Sequence, residues 1–316
     1  MKFKQLLSMV FVAGFILTGC QSASSQVEET QISETEDVSG ASQTESNETA
    51  DDATVEDVKI VSSTVSATQV LAKLNAELVG VPTTSQTLPE VYADLPQVGQ
   101  AMNPDLEIVA SLEPDLLVMD ASFKANVEES LSSYGLNTFF FETGSYDSFI
   151  NSIEQLGKEI HREGEAEALV NEIKEAKEEA LAIKGETSPT VAVIFGAGDN
   201  FMLATDSSYL GDLVTTVGAT NISSELEGDM SSGYVQFSLE QILAQNPDYI
   251  LRFAHGNIEE TTKMFNEAFE KNEVYQELDA VKNGKVYDLD PSIFNVSANL
   301  EIKTAITTLG EILYGK

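Results

Sequence analysis

Two histidines, one cysteine and seven methionines carry nearly all the soft and borderline donor chemistry of this 316-residue chain, which has no tryptophan. His255 closes the phrase Asp248-Tyr-Ile-Leu-Arg-Phe-Ala-His-Gly256, where an apolar run of strand character hands an imidazole to its carboxyl end. In open α/β sheets that end is where ligands bind. Met102 occupies a comparable loop phrase, Gln97-Val-Gly-Gln-Ala-Met-Asn-Pro104. Imidazole and thioether together are an axial pair for heme iron, and the thioether raises the reduction potential relative to a harder ligand. A thioether is neutral and weakly solvated, so an apolar cleft holds it at little cost. Taken singly, a loop methionine is more often core filler and a loop histidine more often a hydrogen-bonded structural residue. Met119 and Met202, both near strand ends, are rival sulfur donors, and His161 reads as a solvated residue on the polar side of a long helix.

Other chemistries fit poorly. No Ser-His-Asp arrangement and no Walker-type phosphate loop can be placed, so the chain reads as a binding protein and not an enzyme. Two axial protein ligands would also leave a heme iron no open position for substrate. Two histidines are too few for a divalent-metal receptor. A formal charge of −35 argues against nucleic acid or anionic lipid as a partner of the folded body.

The elements that would position these donors follow a long leader. Lys2 and Lys4 precede an apolar stretch from Leu6 to Leu17, and Leu17-Thr-Gly-Cys20 follows. That pattern describes a secretory signal peptide over residues 1–19. Its apolar stretch is shorter than the ~20 residues a spanning helix needs. Leu-Thr-Gly-Cys resembles the lipobox of bacterial lipoproteins, which implies that Cys20 is lipidated. The chain would then sit on the extracytoplasmic face of the cell membrane, held by lipid alone. Residues 21–57 are rich in Ser, Thr, Glu and Asp, with no Lys or Arg. Such a segment cannot bury enough surface to offset chain entropy and is expected to act as a disordered acidic tether.

From Val58 onward, short apolar runs alternate with helical periodicity, which implies parallel βαβ units. Strands are expected at residues 58–65, 77–81, 115–119 and 137–141, with helices at 68–75, 105–112 and 125–134 between them. Residues 145–186 read as a long connecting helix with a break at Arg162-Glu-Gly164. The βα pattern then restarts, with strands at residues 191–195, 248–253 and 285–289. The expected fold is therefore α/β: a lobe over 58–144, a backbone helix, and a second lobe over 187–316, each lobe a mostly parallel sheet flanked by helices. A repeat supports two related lobes. Leu106-Glu-Ile-Val-Ala-Ser-Leu-Glu-Pro-Asp-Leu-Leu-Val118 parallels Leu239-Glu-Gln-Ile-Leu-Ala-Gln-Asn-Pro-Asp-Tyr-Ile-Leu251 at a constant offset of 133 residues.

With lipobox, two lobes and connecting helix in place, the chain resembles the helical-backbone substrate-binding lipoproteins of ABC importers. Within that class it is similar to the heme-receptor lipoproteins (E component) of Gram-positive iron-regulated surface determinant systems. The phrases that carry the similarity are Val98-Gly-Gln-Ala-Met-Asn-Pro104, Leu203-Ala-Thr-Asp-Ser-Ser-Tyr-Leu-Gly-Asp-Leu213, Ile250-Leu-Arg-Phe-Ala-His-Gly256 and Val281-Lys-Asn-Gly-Lys-Val-Tyr-Asp-Leu289. The resemblance implies that Met102 and His255 ligate the iron of heme b, carried as cargo for iron acquisition. It also implies a monomer that delivers heme to an ABC permease. Glu107 and Glu240, which recur in register, correspond to the surface glutamates that pair with permease arginines in this class. The alternative within the same class is a siderophore receptor, which would want a basic or aromatic pocket, and 17 Lys and Arg argue against one.

Heme also brings two propionates. The run Ser62-Ser-Thr-Val-Ser-Ala-Thr68 enters a helix, and hydroxyls and amides at a helix N-terminus suit carboxylates. Val65, Ser66, Thr84 and Ser85 are the expected contacts. Ser66 is equally suited to N-capping that helix. Gln86 stands where the family often has a basic residue, so no direct charge pair is expected there. Phe253, Phe294 and Val296 are candidates for apolar cover of the porphyrin.

Overall fold

A computed structural model describes residues 58–226, 230–236 and 238–315. The signal peptide, Cys20 and the acidic tether lie outside the described residues. The first lobe opens with β1 (Ile60–Ser62), α1 (Val65–Lys73) and β2 (Leu78–Gly80), followed by a small hairpin of β3 (Gly99–Gln100) and β4 (Asn103–Pro104). Then come α2 (Leu106–Ser111), β5 (Leu116–Asp120), α3 (Lys124–Tyr134) and β6 (Thr138–Phe141). The strand order is β2-β1-β5-β6, and every pair in it is parallel. Ala67, Val70 and Leu71 recur at helical spacing and bury one face of α1. Thr64 caps that helix by accepting from the Ala67 amide, so the helix starts three residues earlier than the periodicity suggested and Ser66 lies inside it.

α4 (Tyr146–Glu159) and α5 (Glu163–Lys184) connect the lobes. A reciprocal cap between Ser145 and Ser148 starts α4, and Phe149, Ile150, Ile153 and Leu156 form its buried stripe. A Cβ at Gly157 would strike Ala166, so glycine there lets the two helices close on each other. The break between them centres on His161, which is exposed, with a left-handed φ of 55°. It therefore sits in the turn and not on a helix face. α5 packs against α4, against α1 of the first lobe, and against α11 (described below) of the second.

The second lobe contains β7 (Thr190–Ala197), β8 (Asn200–Ala204), α6 (Tyr209–Thr216), β9 (Thr220–Asn221), β10 (Tyr234–Val235), α7 (Leu239–Gln245) and β11 (Tyr249–His255). It ends with α8 (Ile258–Phe265), the single-turn helices α9 (Glu273–Gln276) and α10 (Asp279–Lys282), β12 (Val286–Asp288) and α11 (Ile302–Tyr314). The sheet order is β10-β8-β7-β11-β12, with β9 also beside β7. β9, β11 and β12 run parallel to their neighbours, whereas β8 and β10 are antiparallel. Each lobe is thus a mostly parallel sheet flanked by helices. One apolar cluster joins the facing sides of both sheets through α4, α5 and α11.

The repeat has a structural reason. Glu113 and Asn246 both take a left-handed φ, 47° and 43°, to turn the chain out of α2 and α7. Each is followed by Pro-Asp, and the aspartate reaches back to the neighbouring strand. Asp115 accepts from the Lys59 amide at 2.9 Å, and Asp248 accepts from the Thr190 amide at 2.8 Å. The same carboxylate therefore pins the start of the central strand in both lobes.

Candidate ligand site

The carboxyl ends of β1, β5 and β6 open onto a cavity of about 560 Å³. Thr64, Val65, Ser66 and Gln69 line it from α1 and its cap, Asp120–Phe123 from the end of β5, and Glu142–Gly144 from the end of β6. Gln86 and Ala101 add the two loops of the first lobe. The far wall comes from the second lobe: Asn295, Val296, Ser297 and Asn299, in the segment between β12 and α11. Among the described residues no Lys, Arg or His lines this space, and its charged members are Asp120 and Glu142. Asp120 is internally satisfied, accepting from the Ser122 amide at 2.9 Å, from the Ser122 hydroxyl, and from Thr143 Oγ1 at 2.7 Å.

Of the residues singled out from the sequence, Val65, Ser66 and Val296 line the cavity. The Ser66 hydroxyl donates to the Ala298 carbonyl at 2.8 Å, across the lobes. Thr84 and Ser85 sit just before lining residue Gln86, and Thr84 Oγ1 accepts from the Gln86 amide at 3.0 Å. Met102 stands at the tip of the β3–β4 hairpin, 73% exposed, beside lining residue Ala101. His255 is the last residue of β11, paired in register with Ala197, and its side chain is exposed. Its ring lies 5.8 Å from that of Phe195 and 6.3 Å from that of Phe253. Neither Met102 nor His255 belongs to the cavity lining; Met102 lies in the turn between β3 and β4, and His255 at the carboxyl end of β11.

Met119 is sealed in the outer core of the first lobe, which removes it as a donor. Met202 is half-buried and packs on the joint apolar cluster. Phe253 and Phe294 are buried in that cluster too, and neither lines the cavity. Glu107 and Glu240 are exposed in the first turns of α2 and α7, at equivalent places in the two lobes.

Sequence reasoning missed Gln69, Asp120, Glu142, Thr143 and, apart from Val296, the 295–299 wall. For Asp120 and Thr143 the signal was present, since Asp120 ends β5 and Thr143 follows β6 by two residues, at the carboxyl ends of parallel strands where ligand contacts concentrate. The wall has no such local signal.

A family model described as periplasmic binding protein matches residues 60–293. The chain is 32% identical over 316 residues to the high-affinity heme uptake system protein IsdE of Staphylococcus aureus (strain bovine RF122 / ET3-1), covering 99% of each chain. Among solved structures, an ABC transporter substrate-binding protein from Listeria monocytogenes EGD-e matches with a TM-score of 0.74 and 33% identity, over 83% of this chain and 100% of that one. S. aureus IsdE complexed with heme matches with a TM-score of 0.70 and 34% identity, over 81% of this chain and 99% of that one.

Proposed function

The chain belongs to the periplasmic binding protein family, and from that premise we propose that it is a lipid-anchored extracytoplasmic heme receptor that delivers heme to an ABC importer. The observation that carries this reading is the interlobe cavity at the strand ends, without a cationic lining residue among those described, in a chain 34% identical to a heme-complexed relative. Its volume, about 560 Å³, is within the ~300–1,000 Å³ of small-molecule sites. A ferric siderophore, commonly an anionic chelate, relies on basic side chains, and no Lys or Arg lines this cavity among the described residues, whereas heme has a large apolar face to bury besides its two propionates.

In this reading Met102 and His255 take the two axial positions on the iron, one from each lobe. Thioether and imidazole are both neutral ligands, so iron binding does not require burying a further anion in the protein. The propionates meet the first turn of α1, where the amides of Val65 and Ser66 have no partner within the helix. The hydroxyls of Thr84 and Ser85 add donors at the same rim. The porphyrin face lies against Ala101, Phe123 and Val296. Burying such a face at about 25 cal/mol per Å² supplies much of the affinity, and the iron ligands supply selectivity for heme over metal-free porphyrin. Glu107 and Glu240 dock the two lobes on a permease, and Cys20 carries the anchoring lipid.

Titration of the soluble body with ferric heme tests the function. A saturable one-to-one change in the Soret band, undisturbed by excess ferric siderophore, is expected. Saturable binding of the siderophore with no response to heme would replace this reading with the siderophore one.

A further inference from the structure

The Ser66 hydroxyl has one proton to donate, and it is committed to the Ala298 carbonyl at 2.8 Å. Ala298 is fully buried, and its amide donates to the Thr143 carbonyl at 2.7 Å. Thr143 Oγ1 in turn donates to Asp120 at 2.7 Å. These three bonds run from α1 of the first lobe, through the 295–299 segment of the second, to the ends of β6 and β5. Every residue in the run either lines the cavity or, as Ala298 does, lies between two lining residues, Ser297 and Asn299. The segment itself has no regular secondary structure, so nothing in a helix or sheet ladder fixes its height above the cavity. Buried backbone groups need partners, and Ala298 finds both of its partners in the other lobe.

We propose that Ser66 is a positioning residue: acting through Ala298, it fixes residues 295–299 as a preformed wall of the ligand cavity, and its hydroxyl is not spent on the ligand. The inference rests on the heme reading for the identity of the ligand but not for the latch itself. A direct propionate contact and a latch make different demands. A propionate contact matters only when the ligand carries free carboxylates. A latch matters equally for any ligand that touches the wall, and it is present before ligand arrives. Ser66→Thr retains a hydroxyl at the same position and should retain the latch.

The test uses heme-free wild-type protein, Ser66→Ala and Ser66→Thr. Hydrogen–deuterium exchange at the Ala298 amide reads the latch, and dissociation constants are measured for heme and for heme dimethyl ester. Loss of one such bond should speed exchange in Ser66→Ala roughly 2- to 10-fold. It should weaken both ligands by the same factor, with Ser66→Thr close to wild type in both readouts. Unchanged exchange in heme-free Ser66→Ala overturns the proposal. So does an affinity loss confined to free-acid heme, which would make Ser66 a direct propionate donor. If wild-type protein binds neither porphyrin, the heme reading fails, and the exchange arm still decides the latch.

Discussion

Replacing Asp288 tests how firmly the strand that presents His255 is held. Arg252 lies three residues before His255 on β11, paired in register with Asp288 of β12. Its Nε and an Nη group donate to the two carboxylate oxygens at 2.7 and 2.8 Å, and the same Nη donates to Asn266 Oδ1 at 3.1 Å. The guanidinium also sits over the Phe265 ring at 5.5 Å. The Arg252 side chain is 7% exposed and that of Asp288 is 48% exposed. Removing one partner of a fully buried pair costs about 3–5 kcal/mol, because a charge is left uncompensated. Here one partner is half in water, so Asp288→Ala should cost about 2–3 kcal/mol after that screening is counted. Arg252→Met should cost less, since it keeps the packing on Phe265 and leaves a carboxylate that water can reach. The double variant should lie within about 1 kcal/mol of Arg252→Met alone, because the stranded guanidinium is gone. The chain has no tryptophan, so urea unfolding is followed by far-UV circular dichroism. A midpoint for Asp288→Ala equal to wild type, or higher than that of Arg252→Met, would refute the reasoning.

Three further outcomes are expected. Burial raises the pKa of Asp212 above 3.8, although the Tyr146 amide, 2.6 Å from its carboxylate, opposes the shift. The folded state therefore keeps this proton to higher pH than the unfolded chain, and wild-type stability falls as pH rises from about 3.8 through the raised value. Asp212→Asn keeps an acceptor for Tyr146 and loses that slope, so its melting temperature should gain on wild type over this window and then run parallel; a constant gap contradicts the linkage. Paired Glu107→Ala and Glu240→Ala changes should impair heme uptake by cells while leaving heme binding intact, and normal uptake would remove the docking role. Cys20→Ala should abolish lipid labelling and release the protein from the membrane pool, since two acyl chains give stable anchoring where one is marginal.

The alternation of apolar runs and helical stripes was enough to place the parallel strands other than the two-residue β9, because β1, β5, β7 and β11 are short, apolar and buried. Hidden from that pattern was the antiparallel edge of the second sheet. β7 and β8 are joined by Gly198-Asp199, with Gly198 at φ 60° and Ala197 opposite Asn200. A glycine first in a two-residue turn between apolar runs is a hairpin signal, and it was there to be read. β10 has two residues and no periodicity to detect. In the site, the first turn of α1 was legible as helix-start chemistry, and Val65 and Ser66 there do line the cavity. The capping role was misplaced from Thr64 to Ser66 because several hydroxyl residues there could all cap, and only the tertiary bond to Ala298 distinguishes them. The 295–299 wall folds over a cavity whose other side includes Ser66, bonded to Ala298 from 232 residues earlier in sequence, and no local pattern encodes such a contact.

The most direct test of the central claim is the visible spectrum of heme-loaded Met102→Ala and His255→Ala in both oxidation states. Each loss of an axial ligand should shift the Soret and visible bands away from the six-coordinate wild-type pattern. Loss of His255 should weaken binding more than loss of Met102, because imidazole is the stronger donor. Much of the affinity comes from porphyrin burial, so single variants should still bind. If both variants keep the wild-type bands in both oxidation states, neither residue ligates iron and the assignment of the site is wrong.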